Sequence, residues 1–194
     1  MKVGVFGGSF NPVHQGHLRL ARELILKDYI KRLVFVPVGD NYKKSELILV
    51  KHRLKMLEIA TKNDQYIDVS TVEAVTDEQN LTIKTLDQLQ ADYLADMHFI
   101  MGSDLLSEFN DWEGKEGILE RHKILILNRA GFNDEAYLLK NFPKDLDRFV
   151  LAKDLNPLSH ASTKIRKLVK AREDYHHYLD PNVSDYIEQN NLYK

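Results

Sequence analysis

The chain has 194 residues, 43% hydrophobic and 29% charged, a globular composition that excludes a disordered polymer and, at about 100–200 residues per domain, predicts a single domain over 1–194. Its 27 Lys and Arg against 29 Asp and Glu leave a net charge of −2, so the molecule as a whole is no attractor for nucleic acid or anionic lipid. It has no cysteine, which excludes disulfides, Cys-ligated zinc or iron–sulfur centres and thiol catalysis.

The first predicted strand is Lys2–Phe6, a short apolar run with a glycine-rich stretch behind it. Glycines arrive too soon for a signal-peptide core, and the longest apolar run, Leu33–Val38, is far too short to span a bilayer. A cytoplasmic protein without a membrane partner is the expectation. A helix follows with Leu18, Ala21 and Ile25 at i, i+3 and i+7, widened by Leu20 and Leu24. Arg32–Pro37 predicts the second strand, Val50, Leu54 and Leu57 a second helix, and Tyr66–Ser70 a third strand. Leu86, Leu89 and Tyr93 mark the next helix, ahead of strands at Met97–Met101 and Lys123–Leu127. Residues 132–147 are the least regular part, predicted as a loop with a short helix, and Phe149–Ala152 is a weaker sixth strand. Ile165, Leu168 and Val169 then face opposite to Arg166, Lys167 and Lys170. Asp180-Pro181 predicts the cap and first turn of a last helix carrying Val183, Tyr186 and Ile187, ending at Asn190-Asn191.

Near-continuous apolar strands alternating with helices predict an α/β fold, a doubly wound and mainly parallel sheet of five to six strands with helices on both faces. Right-handed crossovers then bring every strand's C-terminal end to one edge of the sheet, where ligands bind.

The segment Gly7–His17, GGSFNPVHQGH, lies on that edge. Gly7 and Gly8 are expected to turn the backbone sharply and let a ligand approach. The start of the following helix attracts an anion, and His14 and His17 share one face of it. Neither the dinucleotide fingerprint nor Walker A fits this spacing. Without a third ligand nearby, the two histidines are not expected to hold a metal. Downstream, Ser162, Thr163 and Arg166 place hydroxyls and a guanidinium at a second helix start, another candidate anion site. The basic run around it lacks interleaved aromatics, so nucleic acid is not an expected partner.

His14-Gln15-Gly16-His17 resembles the HxGH signature of the α/β nucleotidyltransferase superfamily. The fuller Gly-Gly-Ser-Phe-Asn-Pro context is similar to the bacterial nicotinate mononucleotide adenylyltransferase family. Residues 162–166 resemble its SSTxIR element, with Ala161 in place of the first Ser, and Gly102-Ser103-Asp104 resembles its Gly-x-Asp. The resemblance runs over essentially the whole chain, densest at 3–25 and 158–193. It implies a Rossmann-like fold with residues 158–194 completing the ATP site, and transfer of AMP from ATP to the phosphate of nicotinate or nicotinamide mononucleotide, with Mg²⁺ on the ATP phosphates.

By the same resemblance His14, His17 and Arg166 are the catalytic candidates. Gly7, Gly8, Ser9, Phe10, Lys43 or Lys44, Gly102, Asp104, Ser162 and Thr163 fall to ATP, and Thr82, Thr85, Trp112 and Arg129 to the acceptor. Two segments depart from the family. Val38–Lys44 replaces its Pro-Pro-His-Lys loop, and Asn80–Thr85 lacks its Tyr and Asp. A same-fold enzyme with another small phosphate acceptor and a non-catalytic ATP-binding module therefore stay open. Partners are expected to be small molecules, and a homo-oligomer is compatible with the sequence.

Overall fold

The computed structural model describes residues 1–42, 45–75, 81–128, 131–155 and 161–194. Among them are six strands, β1 (Lys2–Gly8), β2 (Arg32–Pro37), β3 (Ile67–Val69), β4 (Asp96–Gly102), β5 (Lys123–Leu127) and β6 (Phe149–Ala152). All pair in parallel in the order β3-β2-β1-β4-β5-β6. The helices are α1 (Gln15–Leu26), α2 (Val50–Thr61), α3 (Thr82–Tyr93), α4 (Leu106–Phe109), α5 (Lys115–Arg121), α6 (Asp134–Asn141), α7 (Ser162–Ala171) and α8 (Pro181–Gln189).

Strand periodicity divides the core into two layers. Leu33 and Phe35 face one cluster, where Leu18 and Leu24 of α1, Met56 and Leu57 of α2, Ile165 of α7 and Val183 of α8 pack. Val34 and Val36 face the other, with Leu86 of α3, Phe109 of α4, Ile118 of α5 and Leu138 of α6. Each such fully buried side chain contributes about 1.5–3 kcal/mol. Both faces of the sheet are covered, so its strands read as continuous apolar runs.

The expected doubly wound sheet is present, and Asp180 caps α8 through Asn182 N–H at 2.9 Å with Pro181 in the first turn. Three details differ from the sequence reading. Gly7 and Gly8 do not turn the chain. They extend β1 opposite Val36 and Pro37, and the left-handed residue is Phe10, at φ 44°. A Cβ on Gly8 would lie 3.0 Å from the Phe10 ring, whereas one on Gly7 would meet nothing closer than Phe99 at 4.0 Å. The buried face of α2 runs through Arg53, Met56, Leu57 and Ala60, because a guanidinium replaces an apolar side chain on that stripe. The strand expected at Tyr66–Ser70 is limited to Ile67–Val69. No helix among the described residues is long and apolar enough to cross a membrane.

Candidate active site

The order β3-β2-β1-β4-β5-β6 reverses direction between β1 and β4. At the C-terminal ends of those strands lies a cleft of about 1310 Å³, at the topological switch point where open α/β sheets bind ligands. Gly7, Gly8, Ser9, Phe10 and His17 line it, with Gly102 and Asp104 following β4. Thr82, Thr85 and Trp112 line it as well. These ten predicted residues are therefore gathered in one space.

His14 ends the β1–α1 loop in extended conformation and precedes the first turn of α1. Its backbone N–H donates to Nδ1 of His17 at 3.2 Å, and the two rings stack at 3.7 Å between centroids. The Phe10 ring meets His17 edge-on at 5.2 Å. Burial among these rings, followed by the neighbouring His14, holds the His17 pKa well below 6.5. His17 is thus neutral near pH 7, and because Nδ1 accepts a hydrogen bond its proton sits on Nε2. It works as a dipolar N–H donor rather than as a cation.

Arg166 is one turn into α7 and almost enclosed, with 11% of its side chain exposed. It donates to the Asn11 carbonyl at 3.0 Å and to Glu46 at 3.3 Å. Lys170 reaches the same carboxylate at 2.9 Å, and these two cations hold the Glu46 carboxyl below its usual pKa, Lys170 more strongly. The Arg166 Nε has no hydrogen-bond partner among the described residues. Ser162 donates to the Pro12 carbonyl at 2.9 Å, which ties α7 to the β1–α1 loop, and Thr163 is exposed. Neither the Arg166 guanidinium nor these hydroxyls line the cleft as His17 does. Lys43, Lys44 and Arg129 fall outside the described residues.

The charge of the cleft wall departs from the electropositive lining that phosphate transfer suggests. Among its described residues are Glu73, Asp104, Glu108, Asp111 and Glu113, and no Lys or Arg. Glu73 accepts the Thr85 hydroxyl at 2.8 Å, yet burial outweighs that bond and pushes its carboxyl above the usual range. Trp112 packs on Phe99 and Phe109 at 5.8 and 5.6 Å. Among the described residues no side chain caps the N-terminus of α3, and Leu81, Thr82 and Thr85 at its start line the cleft.

Three residues with structural work at the site are assigned no role by the sequence motifs. Asn11 accepts the Tyr193 hydroxyl at 2.9 Å and donates to the Glu46 carbonyl at 2.8 Å. Arg53 is fully buried behind the β1–α1 loop. Asp134 accepts the amide of Asn128, a cleft residue, at 2.7 Å. For Arg53 a clue exists, since it stands between Val50 and Leu57 on the apolar stripe of α2.

Residues 5–168 match the family model described as cytidylyltransferase-like. A curated relative from Carboxydothermus hydrogenoformans, named "Probable nicotinate-nucleotide adenylyltransferase", is 34% identical over all of this chain and 98% of its own length. One of the same name from Endomicrobium trichonymphae is 35% identical over all of this chain and 99% of its own. Among solved structures, Plasmodium falciparum nicotinic acid mononucleotide adenylyltransferase complexed with NaAD superposes with a TM-score of 0.77 at 23% identity, over 99% of this chain and 97% of that one.

Proposed function

The chain belongs to the cytidylyltransferase-like family, and from that premise we propose that it transfers AMP from ATP to the phosphate of nicotinate mononucleotide, releasing pyrophosphate in NAD synthesis. The observation that carries this reading is the His14–His17 pair at the start of α1, where buried His14 holds the ring of His17 and His17 lines the switch-point cleft. Relatives 34% and 35% identical over the full chain, with names that state this activity, support it.

The acceptor phosphate is already an anion, so no protein nucleophile is needed. One of its oxygens attacks the α-phosphorus in line, forming the new P–O–P link. The bond from that phosphorus to the β-bridging oxygen breaks, and pyrophosphate leaves with the electron pair. The protein's part is alignment and stabilisation of charge on the pentavalent centre. His17 serves this through Nε2–H on an α-phosphate oxygen, with His14 fixing its ring. Gly7 leaves room for ATP to approach β1. Asp104 is suited to the ribose hydroxyls as an acceptor, and Arg166 to the leaving phosphates once it exchanges Glu46 for them.

For the acceptor, Trp112 offers a face to the pyridine ring. The N-terminus of α3 suits the nicotinate carboxylate, because a helix start favours an anion, and the acidic wall suits the cationic pyridinium ring. Magnesium would travel on the ATP phosphates. Bound there, it would neutralise charge on the phosphates as pyrophosphate leaves.

The test is pyrophosphate release from Mg-ATP with nicotinate mononucleotide, nicotinamide mononucleotide or 4′-phosphopantetheine. Release with the nicotinate compound, exceeding that with the amide, is expected. Release with phosphopantetheine alone, or ATP binding without any release, would overturn the reading.

A further inference from the structure

Arg53 lies on the inner face of α2 with no exposed surface. Its neighbours on that stripe, Met56 and Leu57, are core residues, so packing alone would be served by an apolar side chain. Burying a guanidinium is unfavourable unless its donors find acceptors, and three are present. Nε donates to the Ile48 carbonyl at 2.9 Å, Nη1 to the Ser9 carbonyl at 3.1 Å, and Nη2 lies 3.5 Å from Asp40 Oδ1. That Asp40 oxygen also accepts Val50 N–H at 2.6 Å, at the entry to α2.

These acceptors belong to two separate stretches of the cleft wall. Ser9 stands in the β1–α1 loop, and Asp40 and Ile48 in the segment between β2 and α2, whose Gly39, Asn41 and Tyr42 line the cleft. Asn11 adds a second tie between the same stretches, since its amide donates to the Glu46 carbonyl. The carbonyl and N–H of a trans peptide point in opposite directions. Holding the Ser9 carbonyl on Arg53 therefore turns Phe10 N–H away from α2. Phe10 is in the left-handed region, at φ 44°, a conformation that a bulky residue keeps only when its surroundings impose it.

We propose that Arg53 is a positioning residue for the transfer reaction, locking the Ser9–Phe10 peptide against Asp40 and Ile48 so that the β1–α1 loop holds one geometry around the ATP phosphates. The inference rests on the reading of ATP as co-substrate. Arg53 touches no substrate itself. Only the rigid, planar fork of an arginine serves two carbonyls and a carboxylate at once; a lysine offers a single point charge.

The experiment compares the wild-type chain with Arg53→Lys. Turnover should fall on the order of 10- to 100-fold, the scale of a small misplacement at a reacting centre. ATP should bind more weakly by calorimetry, while the KM for the mononucleotide stays within about twofold. A variant with a lower melting temperature but wild-type kcat and ATP affinity would show a merely structural arginine and overturn the proposal. A second measurement needs no variant: in the wild-type protein the Arg53 Nε–H resonance should move on adding a non-hydrolysable ATP analogue. A resonance that stays still overturns the proposal even if Arg53→Lys does not fold. A wild-type chain that makes no dinucleotide strikes the reading of function instead, whereas an active wild type with an equally active Arg53→Lys strikes the role of Arg53 alone.

Discussion

The His14 backbone N–H donates to Nδ1 of His17 at 3.2 Å, and this one contact decides what His17 can do. It fixes the tautomer with hydrogen on Nε2, and burial keeps the ring neutral. A neutral donor aimed at developing charge needs no reorganisation during reaction. Removing one such donor costs roughly 2.7–4 kcal/mol, or about 10²–10³ in rate. His17→Ala is expected to lose that factor in kcat while its circular dichroism matches the wild type. Activity retained within about tenfold would remove His17 from the mechanism.

The same burial gives the fold a pH dependence with a definite sign. His17, His98 and His122 all have pKa values lowered from 6.5, each chiefly by burial. Below 6.5 the unfolded chain takes up protons that the folded chain resists. Their contribution is therefore present above 6.5 and lost as pH falls through the folded values. Exposed His176, raised by Asp174 and then Glu188, acts in the opposite sense but weakly. The melting temperature should fall between about pH 7.5 and pH 5. His98→Gln should flatten that slope; a midpoint independent of pH would contradict the assignment.

Arg166 holds Asn11 and Glu46 together, and Glu46 is half exposed. Exchanging a solvated carboxylate for phosphate oxygens conserves the charge pairing, so the guanidinium can pass to ATP at small cost. Arg166→Ala should raise the KM for ATP or lower kcat by about tenfold or more, in line with a lost charge-assisted contact. Steady-state kinetics in both substrates decide it. Unchanged kinetics would leave Arg166 as a tie between α7 and the β1–α1 loop.

What was legible in the chain follows from how local each signal is. Strands covered on both faces show as apolar runs, so Lys123–Leu127 and Phe149–Ala152 are found to the residue. The His14–His17 pair was visible because both residues share one helical turn. The short helices α4 and α5 were not anticipated: four and seven residues are too few for periodicity to register. Gly7 and Gly8 were expected to bend the backbone because glycine permits it, whereas here their missing side chains matter, beside the Phe10 ring and toward the cleft. Arg53 to Ser9, Asn11 to Tyr193 and Arg166 to Glu46 join residues 44, 182 and 120 positions apart. No spacing rule reaches that far.

Trp112 is the single tryptophan, and it lines the cleft, where the proposed reaction puts the pyridine ring against it. Its fluorescence should be quenched on adding nicotinate mononucleotide and much less on adding ATP. Stacking of aromatic rings contributes about 0.5–1.5 kcal/mol, so Trp112→Ala should raise the KM for the mononucleotide roughly 2- to 12-fold with the KM for ATP unchanged. A rise confined to ATP would place the pyridine ring elsewhere.

Asp134 opens α6 and is only 4% exposed. Its Oδ2 accepts the Asn128 amide at 2.7 Å and lies 3.0 Å from the Ser103 hydroxyl, which joins the ends of β4 and β5 beneath the cleft. Its Oδ1 has no hydrogen-bond partner among the described residues, but the helix start behind it favours the charge. Removing this acceptor leaves nearby donors short of a partner, at about 1–3 kcal/mol. Asp134→Ala should lower unfolding stability by that amount in urea titrations. It should also weaken ATP binding, because Asn128 faces the cleft with its amide no longer oriented. A loss of stability with ATP affinity untouched would confine Asp134 to holding β4 and β5 together.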